Sequence, residues 1–285
     1  MIPRTSASFF VLLPSSLVAD APDLRQKTLK IGTIGRALAI FCIDKVCIYH
    51  DDDPHVKNQA LEAKIISTLL HYMETPQYLR KILFPHAQEL RYAGLLPPLR
   101  IPSHPLADEK TDAGNYREAV VIDVDKLGSL LELGIRERGF TSEKLKFGQR
   151  VTVRLGESLS EGKRAVELVP RSKAGEYWSY EVFSAKTLAE ALKVLKSDYV
   201  IGTSRYGQNL YEAVQAIKSN KPHSVAVAFG GSYAGLLEIC ERQGVDANKL
   251  FDVVINTIPN QGTATVRTEE ALVATLALLN ALIRG

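Results

Sequence analysis

Apolar residues follow two rhythms along the chain. Residues 8–13 (SFFVLL) form a near-continuous apolar run, the pattern of a strand covered on both faces. From 20 to 43 the apolar positions Leu24, Leu29, Ile34 and Leu38 recur near helical spacing, which predicts a long helix. A second strand is expected over 46–49, a helix over 56–73, and a further helix restarting at Pro76 and ended by Pro85. Strands alternating with helices in this way predict a parallel sheet with helices on its faces.

The alternation stops between residues 85 and 105, where Pro85, Pro97, Pro98, Pro102 and Pro105 exclude helix interiors and central strands. Beyond lie short strand-like runs at 119–124, 129–135, 150–155 and 164–169, separated by glycine and charged turns such as GESLSEG, a spacing that predicts a small β-barrel or sandwich. After Pro170 the first rhythm resumes, with strands expected at 177–183, 199–202, 224–229 and 251–257. Helices are expected at 187–195, 210–219, 236–242 and 269–283. The sequence therefore predicts an α/β domain from 1–87 and 173–285, interrupted by a β-rich segment at 88–172.

Composition narrows the function classes only slightly. Hydrophobic residues make up 46% and charged residues 24% of 285, which excludes a disordered or disulfide-dense chain. A net charge of +3 permits a nucleic-acid partner without demanding one. Cys42, Cys47 and Cys240 are odd in number and lack zinc or redox spacing, so thiols in a reducing, cytoplasmic setting are expected. The apolar stretch 9–13 is too short for an export signal, and 271–283 falls short of a membrane span. His50-Asp51-Asp52-Asp53-Pro54-His55 reads as an exposed acidic turn rather than a metal site, and no metal is expected. No Ser-His-Asp or Cys-His arrangement stands out.

Chemistry is better placed in the last third. Three successive strands run into loops of small and polar residues: Gly202-Thr203-Ser204-Arg205-Tyr206-Gly207, Gly230-Gly231-Ser232, and Pro259-Asn260-Gln261-Gly262-Thr263. In open α/β sheets ligands bind beyond the carboxyl ends of the strands, where such loops converge. Glycine there admits positive φ and lets backbone approach a ligand, although Gly230-Gly231 also serves simply to turn a strand into a helix. None of the loops is a GxGxxG or GxxxxGK[ST] fingerprint. Thr268, Glu269 and Glu270 are accounted for as a helix N-terminus, which leaves Asn260, Gln261 and Arg267 as candidate contacts. The final helix is apolar nearly all round, the mark of core or of a subunit interface. Arg25, Lys27, Lys30 and Arg36, with Arg80 and Lys81 after Tyr78, are candidate phosphate contacts or simply a solvated helix face.

The stretch NTIPNQGTATVRTEEALVATLALLN resembles the knot-forming end of the SPOUT superfamily of S-adenosylmethionine-dependent RNA methyltransferases. DLRQKTLKIGTIGRALAIFCIDKV, YMETPQYLRKILFP, LRYAGLLPPL, YREAVVID, YWSYEV, IGTS and FGG extend the resemblance over nearly the whole chain, toward the archaeal and eukaryotic subfamily with an OB-like insertion that is related to ribosomal-RNA uridine-N3 methyltransferases. The resemblance implies a C-terminal trefoil knot, a homodimer, and S-adenosylmethionine held by Gly202, Thr203 and Ser204, by Phe229, Gly230 and Gly231, and by Asn256, Thr257, Ile258, Pro259, Asn260 and Gln261 with Thr265. The loops chosen on physical grounds and those implied by the family coincide.

Methylating uridine N3 requires loss of its proton, so an anion-stabilising cation or a base is expected, with Arg267 or Arg36 in the first role and Glu269 a weaker candidate for the second. An OB-like insertion would hold RNA on aromatics and cations, for which Tyr116, Arg117, Phe140 and Phe147 are candidates, while Arg25, Arg80 and Lys81 would meet phosphates. The competing reading is a non-catalytic RNA-binding or ribosome-assembly factor on the same fold. A generic small-molecule enzyme leaves the β-rich segment without a role.

Overall fold

The computed structural model describes residues 7–105 and 112–284. In chain order the elements are β1 (Ser8–Pro14), α1 (Leu24–Ile40), β2 (Lys45–Tyr49), α2 (Gln59–Glu74) and α3 (Gln77–Leu83). Next come β3 (Tyr116–Val124), β4 (Ser129–Glu132), β5 (Arg138–Thr141), β6 (Arg150–Ser158) and β7 (Lys163–Val169). The last third holds β8 (Glu181–Ala185), α4 (Leu188–Leu195), β9 (Tyr199–Asn209), α5 (Leu210–Asn220), β10 (Ser224–Ala228), α6 (Leu236–Arg242), α7 (Ala247–Leu250), β11 (Val253–Asn256) and α8 (Thr268–Leu279). The described residues fall into two compact units, one made of Thr75–Ala87 and Arg100–Trp178, the other of 7–74, Gln88–Leu99 and 179–284.

The larger unit is built on a six-stranded sheet in the order β11-β9-β10-β1-β2-β8, and every pairing in it is parallel. β1 lies inside the sheet, with Ser8 opposite Ser224 of β10 on one side and Phe10 opposite Lys45 of β2 on the other. Phe9 to Leu13 are all buried because helices cover both faces of a parallel sheet. α1 starts later than the periodicity suggests: Asp23 caps it by accepting from Gln26 N at 2.8 Å, and Cys42, at φ 49°, lies beyond its end. Its inner face, Ile31, Ile34, Gly35 and Leu38, has i, i+3, i+4, i+7 spacing, and a Cβ on Gly35 would lie 2.6 Å from the Met73 side chain of α2. α8 buries Leu272, Thr275, Leu276 and Leu279.

The smaller unit contains a closed five-stranded barrel in the order β3-β4-β5-β7-β6, antiparallel except where β5 runs parallel to β7. Ala119, Val121, Leu131, Leu133, Val153, Leu155 and Val166 fill it. Glu118, next to Ala119 on β3, faces away from that core; it has no exposure, yet both carboxylate oxygens are hydrogen-bonded. It accepts from Arg150 Nε at 2.6 Å, Thr152 Oγ1 at 2.6 Å, Trp178 Nε1 at 2.6 Å and Arg171 Nη2 at 3.4 Å.

Candidate active site at the carboxyl ends of the sheet

A bulge inside β9 and the loops that follow β10 and β11 bond to one another. β9 pairs with β11 at Ile201 and Gly202 and again at Gln208 and Asn209, so Thr203–Gly207 bulge out between the two paired stretches. The carbonyl of Arg205 in this bulge accepts from Asn256 Nδ2 at 2.9 Å, and the Arg205 guanidinium donates to the Ala264 carbonyl at 3.0 Å. Gln261 Nε2 reaches the Thr263 carbonyl at 2.9 Å, Asn256 Oδ1 accepts from Ile258 N at 3.0 Å, and the Thr257 and Thr275 hydroxyls are bonded at 2.8 Å.

The loop after β10 is held by hydroxyls from three directions. Thr203 Oγ1 donates to the Ala228 carbonyl at 2.8 Å, Tyr49 Oη to that of Phe229 at 2.7 Å, and Thr268 Oγ1 to that of Gly230 at 2.9 Å. Thr203 opens the bulge within β9, Tyr49 ends β2 and Thr268 opens α8, so three elements fix one turn. Burial drives the Tyr49 hydroxyl well above the ordinary tyrosine range, which keeps it a proton donor.

The glycines serve close packing here rather than positive φ, which none of Gly202, Gly207, Gly230 and Gly231 adopts. A Cβ on Gly202 would sit 3.1 Å from Leu236 and Phe251, one on Gly207 2.4 Å from the Ile255 carbonyl carbon, and one on Gly231 2.1 Å from Ser16 Oγ. The residue that does enter the left-handed region is Asn260, at φ 56°, on the exposed turn after Pro259. Phe229 is buried in the core; Ser204 and Ile258 are half-buried, and Thr265 is exposed.

The remaining candidates are dispersed. Arg267 is exposed at the start of α8, its N–H bonded to Glu270 Oε2 at 3.0 Å. Glu269 lies 3.1 Å from Lys30 Nζ, which also meets Asp20 at 2.8 Å; burial raises the Asp20 carboxyl but Lys30 outweighs it, so Asp20 is held below the usual range. Arg36 donates to the carbonyls of Pro98 and Leu99 at 3.0 and 2.7 Å, a bond pattern that anchors a loop. Arg25 and Lys81 are exposed, and Arg80 donates to the Thr75 carbonyl at 2.8 Å. In the barrel unit Arg117 is buried, donating to the Leu133 carbonyl at 2.8 Å with its guanidinium 5.1 Å over the Tyr78 ring. Tyr116 is half-buried and edge-on to Trp178, whereas Phe147 is 76% exposed.

One sequence expectation is overturned. Asp51 and Asp53 are buried, not part of an exposed acidic turn; Asp52 alone of the three is exposed. Asp51 Oδ1 accepts from Ser15 Oγ and Ser16 N, both at 3.1 Å, while Oδ2 and the Ser16 hydroxyl face the Gly231 backbone without a hydrogen-bond partner among the described residues. Burial raises the Asp51 carboxyl above its ordinary range, against the bonds from Ser16 and Ser15. Asp53 accepts from His55 and lies 3.6 Å from Arg242 Nη1. The run of three aspartates reads as solvated; the signal against that reading is its position directly after the apolar strand β2.

No group of three or more metal-ligating side chains forms among the described residues, and no helix there is long and apolar enough to cross a membrane. All three cysteines are thiols, and burial pushes Cys47 up to about 12 and Cys240 to about 11.

An all-parallel sheet with interlocking segments of half-buried backbone, hydroxyls and carboxamides at its strand ends is the arrangement over which α/β proteins commonly bind small organic ligands. Comparison with known proteins makes the class specific. The model of the family described as "Putative RNA methyltransferase" matches residues 8–279, and the chain belongs to that family. The human 28S rRNA (uridine-N(3))-methyltransferase is 35% identical over 294 residues, covering 94% of this chain and 77% of the human one. The mouse protein of the same description is 36% identical over 296 residues, covering 94% and 75%. A protein of Halobacterium salinarum described only as uncharacterized is 34% identical over 291 residues, covering 94% and 97%.

Proposed function

We propose that this methyltransferase takes its methyl group from S-adenosylmethionine and acts on N3 of a uridine in large-subunit ribosomal RNA. The observation that carries the reading is the interlocking of the β9 bulge with the loops after β10 and β11, which brings Thr203, Ser204, Gly230, Asn256 and Gln261 into one hydrogen-bonded assembly. Apart from the Arg205 guanidinium, its donors and acceptors are neutral hydroxyls, carboxamides and backbone, a set suited to the base and ribose of a nucleoside. When bound, the cofactor supplies a methyl carbon on a sulfonium. The chain's own part is to align the uridine and exclude water. N3 must shed its proton as the new N–C bond forms; Arg267, exposed beside the loops, would stabilise the uridine anion, a role less suited to Arg36, whose guanidinium already holds two carbonyls. Glu269, beside Lys30, would need that lysine to move before acting as a base.

In the same reading the strand order fits a SPOUT knot domain, and the five-stranded barrel with its parallel β5–β7 pair, Tyr116–Val169, fits an OB-like RNA-binding module within 88–172 of the chain. The exposed Phe147, with Tyr116 and Arg80, offers stacking and phosphate contacts there. Leu29 and Ile40 of α1 and Val273 of α8, each more than a third exposed, suit burial against a second copy. A cytoplasmic location fits three reduced cysteines.

The test is methyl transfer from S-adenosylmethionine to large-subunit RNA, with the product nucleoside identified by mass spectrometry. N3-methyluridine is expected, and Arg267→Ala should retain cofactor binding while losing on the order of 10²-fold in turnover. RNA and cofactor binding without transfer would replace this reading with that of a non-catalytic RNA-binding factor; wild-type turnover in Arg267→Ala would remove the arginine from the mechanism.

A further inference from the structure

We infer that Tyr49 is a positioning residue of the cofactor site, acting through the peptide plane between Phe229 and Gly230, with Thr268 holding the next plane; the inference rests on the proposed cofactor reading of these loops. Tyr49 is fully buried at the end of β2, and its hydroxyl donates to the Phe229 carbonyl at 2.7 Å. That carbonyl belongs to the same rigid, planar unit as the Gly230 N–H, and in a trans peptide the two point in opposite directions. Drawing the oxygen toward the Tyr49 hydroxyl therefore turns the N–H away from β2. Neighbouring groups leave this unit little freedom. Phe229 N donates to the Leu12 carbonyl at 3.1 Å, Gly231 N to the Ala234 carbonyl at 2.9 Å, and Thr268 Oγ1 to the Gly230 carbonyl at 2.9 Å.

The Gly230 N–H itself has no acceptor among the described residues, and Gly230 is half-buried. A half-buried backbone donor held this firmly and left unpaired is arranged for an acceptor atom supplied from outside the chain. A hydrogen bond at the carbonyl end of a peptide also strengthens the donor at its other end, so the Tyr49 hydroxyl would both aim and polarise the N–H. Neither Tyr49 nor Thr268 need touch the cofactor for this.

The experiment is calorimetric titration of the full chain with S-adenosylhomocysteine. Tyr49→Phe keeps the buried ring and removes only the hydroxyl; Thr268→Val keeps the shape, and Thr268→Ser restores the donor. We expect Tyr49→Phe and Thr268→Val each to bind about 3- to 10-fold more weakly than wild type, with Thr268→Ser close to wild type. Ile48→Val, on the same strand and equally buried but with no bond to the loop, is expected to lower stability by a comparable amount and leave affinity unchanged. A purely structural role would move Tyr49→Phe and Ile48→Val alike, and that result overturns the inference, as does wild-type affinity in both Tyr49→Phe and Thr268→Val. Should Tyr49→Phe fail to fold, the Thr268 pair decides. Absence of binding by the wild-type protein would overturn the cofactor reading, and the inference with it.

Discussion

Replacing Glu118 by glutamine should cost the barrel unit more than any other single-atom exchange at a buried side chain. Oε2 faces Arg150 and Arg171, at 2.6 and 3.4 Å, while Oε1 faces the Thr152 hydroxyl and the Trp178 indole, both at 2.6 Å. Glutamine must put an NH2 group on one side. Turned toward Arg150, it sets donors against a guanidinium and removes the charge that balances it; turned toward Trp178, it faces an indole N–H that can only donate. Either way a charge-assisted bond worth about 1.5–3 kcal/mol is lost and a buried donor is left unpaired, so the total should be about 3–5 kcal/mol. Trp178 is the chain's single tryptophan and bonds to Glu118 directly, so its fluorescence during urea unfolding reports on this unit. With a denaturant slope near 2 kcal/mol/M, the midpoint should fall by about 1.5–2.5 M. Thr152→Val, which removes one neutral donor, should lose only about 1 kcal/mol. A shift for Glu118→Gln no larger than that of Thr152→Val would refute the view that Glu118 organises this part of the barrel.

Two other substitutions probe the end of β2. The folded state raises the Asp51 carboxyl by burial, so its contribution to stability is fully present below the unfolded carboxylate range and is lost as pH rises through the raised folded value. Asp51→Asn removes that loss, so the variant's urea midpoint should gain on wild type as pH rises from the ordinary carboxylate range toward neutrality, and a pH-independent difference would contradict the assignment. Gly231→Ala places a Cβ 2.1 Å from Ser16 Oγ but 3.5 Å from Ser16 Cβ, so it should cost about 1–3 kcal/mol alone and much less in a Ser16→Ala background; additive costs in the double variant would rule out this clash.

The sheet was legible because its strands are apolar runs long enough to be recognised without partners, as in Phe9–Leu13 and 225–228. β5 was not foreseen: RGFT has a single large apolar residue, and it becomes a strand by pairing with β4 and β7 rather than by its own pattern. β8 was expected at 177–183 and lies at Glu181–Ala185, because Trp178 and Tyr180 look like strand residues but serve as hydrogen-bonding core aromatics, to Glu118 and to the Leu70 carbonyl. At the site, the three loops follow from strand ends and small residues. Tyr49 and Thr268 were invisible as loop anchors because each has an adequate local reason to be where it is, one as an apolar strand end and the other as a helix start. What makes them part of the site is a contact across 180 residues in one case and 38 in the other, which no local pattern encodes.

The placement of β1 in the sheet has a consequence for synthesis on the ribosome. Its partner on one side, β2, follows shortly, but Ser8 pairs with Ser224, roughly 200 residues later. At 5–20 residues per second that edge of SFFVLL waits about 10–40 s for β10. Through that interval the nascent chain carries an unpaired, largely apolar strand edge, the kind of surface on which chains associate wrongly. A strand central to the finished sheet is thus the one a chaperone would have to shield longest.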